Sequence, residues 1–297
     1  MLEFAFCCIS LRLATRSHIL KTAAYRLEAV SLSESGRVRA VNEDAAAVDH
    51  EYGIAVVADG MGGHRAGDVA SRMAIDRVLG RLRAALGRFS AGVPQPAALP
   101  LTEQAIAEAN SAIHAAAHPQ SGRSGMGTTL ALAFFHGEQV ALAHVGDSRI
   151  YRLRSGRLQL LTRDDSLLHD QIELGVIAAE DAADSHNRHL VTQALGIAPA
   201  VTVHLQQETL RSGDVFLLCT DGLSDLVDEK DIELIVDSLK TNLPLAASHL
   251  AQLANDNGGY DNITVALVRV LADEAGAGAR GWISRLLGRL MPGKAER

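Results

Sequence analysis

Short apolar runs separated by polar, glycine-bearing breaks dominate the chain, and most of these runs are too short for helices. Residues 54–58, 128–135, 140–145, 215–219 and 263–270 are rich in β-branched, alanine or aromatic residues and run for five to eight positions. That length and composition predicts buried strands. Residues 25–31 alternate as a half-buried strand does, and 33–36 break the pattern. Residues 150–153 and 158–161, split by Ser155-Gly156, predict an antiparallel meander, and 201–205 gives a further strand. Helical spacing appears in 66–86 through Ile75, Leu79, Leu82 and Leu86, and from 102 onward through Ile106, Ala109, Ile113 and Ala116. It recurs in 229–239 and in 244–254, where Ala246, Leu250 and Leu253 share a face. Residues 90–100 carry three prolines and read as a loop, and 162–195 as a polar surface excursion with a short helix at 167–174. No regular strand–helix–strand alternation is present, so the expected class is α+β rather than a parallel sheet.

Several strand ends share one feature. The run 54–58 stops at Asp59 beside glycines 60, 62 and 63; 140–145 ends in Gly146-Asp147; and 215–219 ends in Thr220-Asp221-Gly222. Asp261 opens the last strand, and Asp44 precedes another apolar stretch, with Arg39 and Glu43 close by. Singly, each is an ordinary turn acid. Carboxylates gathered at one end of a sheet repel one another, however, and require a cation. Hard oxygen ligands without a cysteine or histidine set favour Mg²⁺ or Mn²⁺ over zinc. Two such ions ~3.5–4 Å apart can share a carboxylate and activate a water, which points to phosphate-ester hydrolysis. Arg39 offers the planar fork that matches phosphate oxygens.

Composition narrows the picture. With 297 residues and 47% hydrophobic positions, the chain can bury a core of one large domain or two small ones. A formal net charge of −7 argues against a general nucleic-acid binder. The three cysteines, Cys7, Cys8 and Cys219, suggest neither a disulfide framework nor a zinc site, which fits a reducing cytoplasm; Cys219 reads as a core residue. No apolar run approaches the ~18 residues of a membrane span. Arg72, Arg77, Arg81 and Arg83 are expected on a solvated helix face, as are His114 and His118 on the next helix. Residues 1–24 read as a poorly ordered extension, 25–271 as the working domain, and 272–297 as a flexible linker. That linker ends in a basic amphipathic tail, Ile283, Leu286, Leu287 and Leu290 against Arg285 and Arg289.

Six motifs then carry a resemblance. Arg39-x-x-Asn42-Glu43-Asp44, Asp59-Gly-Met-Gly-Gly-His64, Gly127-Thr-Thr129, Gly146-Asp-Ser-Arg149, Asp221-Gly-Leu-Ser-Asp225 and Asp261-Asn-Ile-Thr264 resemble, in order and spacing, the bacterial PPM-type (protein phosphatase 2C-like) serine/threonine phosphatases. The resemblance implies a four-layer α-β-β-α sandwich of two central antiparallel sheets with a dimetal cleft at one end. It implies that Asp59 bridges two Mn²⁺ or Mg²⁺ ions beside the Gly60 carbonyl, and that Asp221 and Asp261 are the remaining direct ligands. Asp44 would hold a coordinated water, Asp147 would share a third ion with Asp221, and Arg39 would grip the phosphate. Met61 stands where animal enzymes have a histidine, His64 follows three residues later, and Asp165 stands where a histidine is common in bacterial members. Residues 164–190 resemble the family's flap.

The implied function is hydrolysis of phosphoserine and phosphothreonine in a protein substrate, opposing a cognate serine/threonine kinase, by a monomer. The alternatives are a pseudophosphatase that only binds phosphoprotein, and a phosphatase serving a sigma-factor antagonist or a secretion apparatus.

Overall fold

The computed structural model describes residues 18–21, 25–62, 66–87, 97–117, 124–178 and 190–272. Two antiparallel sheets form its middle. The first holds β1 (His18–Lys21), β2 (Tyr25–Glu34), β9 (Arg149–Arg154), β10 (Arg157–Leu160), β12 (Val215–Cys219) and β13 (Ile263–Ala272), in the order β1-β2-β13-β12-β9-β10. The second holds β3 (Ala45–Asp49), β4 (Ile54–Ala58), β7 (Leu130–His136), β8 (Gln139–Val145) and β11 (His204–Thr209), in the order β11-β8-β7-β4-β3. Two very short strands, β5 (Gly60–Met61) and β6 (Gly127–Thr128), pair with each other beside them.

The period of two explains why β4 reads as an unbroken apolar run. Ile54, Val56 and Ala58 face a helical layer, whereas Ala55 and Val57 face the opposite sheet, so neither side meets water. In β12, likewise, Val215, Leu217 and Cys219 point to one layer and Phe216 and Leu218 to the other. The helical layer over the second sheet is α1 (Ala66–Leu86) with α2 (Ala98–Ala116); over the first sheet lie α5 (Glu229–Leu239) and α6 (Leu243–Asp256). Two short helices, α3 (Leu167–Glu173) and α4 (Asp221–Ser224), belong to connections. This is the expected α-β-β-α sandwich, and Cys219 is a fully buried core residue as expected.

The structure departs from the sequence-based expectations in several places. Helix α2 begins at Ala98, so the last residues of the proline-bearing stretch are helical. Pro100 sits in the first turn, where its missing N–H would have had no partner. The strand expected at 201–205 lies at His204–Thr209 instead: it is an edge strand pairing only with β8, and backbone bonds rather than apolar pattern hold it. Strand β2 runs on through Glu34, into the break expected at 33–36, and residues 35–44 form the loop that follows it. His114 is half-buried, with its ring Nδ1 3.1 Å from the Gly196 carbonyl. Inside the stretch read as a loose extension, His18–Lys21 pairs with β2. The C-terminal linker and tail, His64, His118 and residues 179–189 lie outside the described residues.

Candidate metal-dependent active site

Asp44, Asp59, Asp147, Asp221 and Asp261 fall at one end of the sandwich, because antiparallel order brings the ends of β4, β8 and β12 together with the starts of β3, β9 and β13. There, a cleft of about 680 Å³ is lined by Arg39, Glu43, Asp59, Gly60, Asp147, Asp221 and Asp261, among others. Asp44 is not in that lining. It is buried behind it, where its Oδ2 accepts the Thr220 hydroxyl at 2.8 Å.

Each carboxylate is locally anchored. The Asp59 backbone is held by two consecutive threonines: its amide donates to Thr129 Oγ1 at 3.0 Å, and its carbonyl accepts from the Thr129 amide at 2.9 Å and the Thr128 hydroxyl at 2.8 Å. Gly60 must be glycine, since a Cβ there would lie 2.1 Å from the Gly67 carbonyl oxygen and 2.4 Å from that of Glu43. Asp221 opens α4 immediately after the end of β12. Asn262 joins the two outer loops: its Oδ1 accepts the Glu43 amide at 2.8 Å, and its Nδ2 donates to the Val41 carbonyl at 3.0 Å and the Ser35 carbonyl at 3.2 Å. The neighbouring Asp261 accepts Arg39 Nη2 at 2.8 Å.

The electrostatics are those of acids crowded together. Burial raises the pKa of Asp59 well above the usual carboxylate range, and the charges of Asp44, Asp221 and Asp147 push it further. Asp147 is raised in the same way by burial, Asp221 and Asp164. Asp44 is pushed up to about 7 by burial, against the opposing hydroxyls of Thr264 and Thr220. The Arg39 guanidinium is held charged by its bond to Asp261, with Asp59 and Asp221 adding to the effect. Among the described residues, no lysine or arginine forms an ion pair with Asp44, Asp59 or Asp147.

These donors fit hard divalent ions. Glu43 Oε1, on a residue lining the cleft, is a buried acceptor with no hydrogen-bond donor among the described residues. Among the described residues, no three acids, imidazoles or thiols lie together as a ready-made ligand group for a metal ion, so waters would have to complete any coordination shell here. Mg²⁺- and Mn²⁺-type ions suit such an open arrangement, because they keep several waters and take one or two carboxylates each.

Sequence reasoning named no role for Thr129, Thr220, Asn262 or Glu43. The available signal was polar residues sitting against apolar runs, as Thr128-Thr129 and Thr220 do, and that pattern also fits ordinary strand ends.

A sandwich of this order, with Arg39 at the mouth of an acid-lined cleft, has the makings of a metal-dependent phosphoester hydrolase. The chain belongs to the protein phosphatase 2C family, whose model matches residues 35–271. It is 38% identical over 239 residues to the serine/threonine phosphatase Stp of Listeria innocua, covering 80% of this chain and 93% of that one. The crystal structure of the Mycobacterium tuberculosis phosphatase PstP superposes with a TM-score of 0.73 at 36% identity, covering 83% of this chain and 99% of that one. The PstP catalytic domain in complex with two manganese ions gives a TM-score of 0.70 at 35% identity, with 84% and 99% covered. The protein is therefore a metal-dependent serine/threonine protein phosphatase. No described helix is long and apolar enough to cross a membrane.

Proposed function

We propose that this cleft removes phosphate from phosphoserine and phosphothreonine of a bacterial protein substrate in the cytoplasm, reversing a cognate serine/threonine kinase, and that the chain acts as a monomer. One observation carries the reading of the site: among the described residues, Asp44, Asp59 and Asp147 are crowded together with no lysine or arginine paired to them, while Arg39 stands at the mouth. Asp59, Asp221, Asp261 and the Gly60 carbonyl would hold two Mn²⁺ or Mg²⁺ ions. Asp44 would orient a water from behind the cleft, and Asp147 would join Asp221 at a third ion. When bound, the ions supply the Lewis acidity that activates water and offsets charge on the phosphoryl oxygens.

The chain's own contribution is positioning. Arg39, half-exposed, presents a fork of N–H donors to the phosphate and keeps the ester facing the acids. The threonine clamp on Asp59 and the Asn262 staple hold the ligand carboxylates in fixed relation, so no reorganisation is needed as charge develops. No histidine, lysine or cysteine lines the cleft among the described residues.

The test is hydrolysis of a phosphothreonine peptide with Mn²⁺, with EDTA, and by Asp59→Asn. The expected result is activity that needs metal and drops more than ~100-fold in the variant, since even outer-shell changes cost ~10–100-fold at metal sites. A folded, metal-loaded wild type that is inactive on several phosphopeptides but binds them would move the assignment to a phosphoprotein-binding module.

A further inference from the structure

The loop carrying Asp147 is anchored on both sides, and one anchor is a buried carboxylate outside the ligand set. On the inner side, Ser148 Oγ shares a hydrogen bond with Thr129 Oγ1 at 2.7 Å, the same oxygen that accepts the Asp59 amide. On the outer side stands Asp165, 3% exposed, with both carboxylate oxygens used. Oδ2 accepts the Gly146 amide at 3.0 Å, and Oδ1 accepts the His204 Nε2–H at 2.8 Å and, more weakly, the Gln193 Nε2–H at 3.4 Å. The Asp165 backbone is committed as well: its amide donates to the Gly146 carbonyl at 3.0 Å, and its carbonyl accepts the Thr192 amide at 2.7 Å. One residue thus clasps Gly146, adjacent to Asp147, and ties it to both feet of the polar excursion and to β11.

Gly146 needs such a clasp. Its φ of +97° is open to glycine, and a Cβ would strike the Thr129 side chain at 2.7 Å, so the position has no side chain of its own to pack. His204 is placed in turn by stacking on His144, with ring centroids 4.7 Å apart and planes at 18°. His144 Nε2 lies 2.7 Å from the Arg163 carbonyl, which can only accept, so that nitrogen carries the proton. Burial lowers the His144 pKa, which keeps the inner ring of the stack neutral.

We propose that Asp165 and His204 form a latch, acting as positioning residues that hold the Gly146–Asp147 peptide for ion binding and couple the flap-like excursion to the cleft. The consequence for ion binding rests on the proposed role of Asp147; the latch itself does not.

The test uses the full chain. Amide hydrogen exchange at Gly146 is measured on metal-free protein, and Mn²⁺ binding by calorimetric titration, for wild type, His204→Phe, His204→Gln and Asp165→Asn. His204→Phe keeps a ring for the stack but removes the donor. It is expected to speed Gly146 exchange at least about tenfold and to weaken the weakest Mn²⁺ site by about tenfold. His204→Gln, which can again donate to Oδ1, restores both. Asp165→Asn leaves one oxygen for three donors and falls between them.

Unchanged exchange in His204→Phe would overturn the latch, as would a His204→Gln protein as impaired as the phenylalanine variant, since stacking alone would then explain the effect. If His204→Phe does not fold, unchanged Gly146 exchange in Asp165→Asn overturns the latch instead. A wild type inactive on phosphopeptides would remove the proposed function and leave the exchange result standing.

Discussion

The two ends of the sandwich treat acidic residues in opposite ways, although the same strands run between them. At the end away from the cleft, buried Asp214 and Asp49 and partly buried Glu208 and Glu28 each have an arginine. Asp214, just before β12 and 1% exposed, takes two bonds from Arg154 at 2.8 and 2.7 Å. Asp49, at the end of β3, pairs with Arg83; Glu208 pairs with Arg152, and Glu28 with Arg269. At the cleft end Arg149 pairs with Asp164, but buried Asp44 and Asp147 and partly buried Asp59 have no arginine or lysine partner among the described residues, and their pKa values rise accordingly. A fold that needed only stability could have matched both ends alike. The mismatch is one that bound metal ions at the cleft end would offset.

The sharpest way to break this comparison is to remove an acid at the matched end. Asp214→Asn leaves Arg154 without its buried counter-charge and is expected to cost about 3–5 kcal/mol of unfolding free energy, measured by urea denaturation. Phosphatase activity per folded molecule should stay within about twofold, because nothing at the cleft is touched. A loss of activity without a loss of stability would contradict the division of labour between the ends.

The complementary change has the opposite sign. Asp59→Asn removes a carboxylate from a crowded group of acids, so the metal-free protein at pH 8 should be more stable than wild type in urea melts while losing phosphatase activity.

The pH dependence follows from the same shifts. Asp44 is raised to about 7 in the folded state, and Asp59 and Asp147 are raised as well, so the folded chain retains protons that the unfolded chain has released above about pH 4. Metal-free stability therefore falls as pH climbs from about 4 through 7, and excess Mn²⁺ should flatten or reverse that slope. Thermal midpoints of metal-free protein at pH 5, 6, 7 and 8 check it; a midpoint that rises with pH would count against the acid cluster.

How much of this was legible beforehand depended on whether the signal was local. Ile54–Ala58, Val215–Cys219, Ala66–Leu86 and Glu229–Leu239 appear with the bounds their patterns predict, because burial on one or both faces writes itself into the period of the sequence. Asp59, Asp147 and Asp221 were visible as acids closing apolar runs. Edge strand β11 was displaced from its apolar stretch because its partner, not its composition, sets its register. The Asn262 staple spans 219 residues to reach Glu43, and the Asp165–His204 contact spans 39. Such pairs exist only once the sheets have brought distant loops together, so a buried aspartate like Asp165 looks in sequence like any polar residue of a surface excursion.

The smallest expected effect on stability, and the finest discrimination between the ends, comes from the arginines. Arg39 and Arg154 both bind an aspartate, but the Arg39 side chain is 54% exposed and its partner Asp261 33%, against 18% and 1% for Arg154 and Asp214. An exposed pair of the first kind contributes ~0.2–1 kcal/mol. Arg39→Lys keeps the charge and should change stability by less than about 0.5 kcal/mol. It loses the planar fork, however, and one charge-assisted bond to phosphate, so KM for a phosphothreonine peptide should rise about tenfold. Arg154→Lys should do the reverse: an ammonium cannot reproduce the two bonds to buried Asp214, so stability falls while KM stays put. Steady-state kinetics and urea melts on the two variants separate the cases. If both lysines lowered stability equally and left KM alone, Arg39 would be a structural partner of Asp261 rather than the residue that meets the substrate.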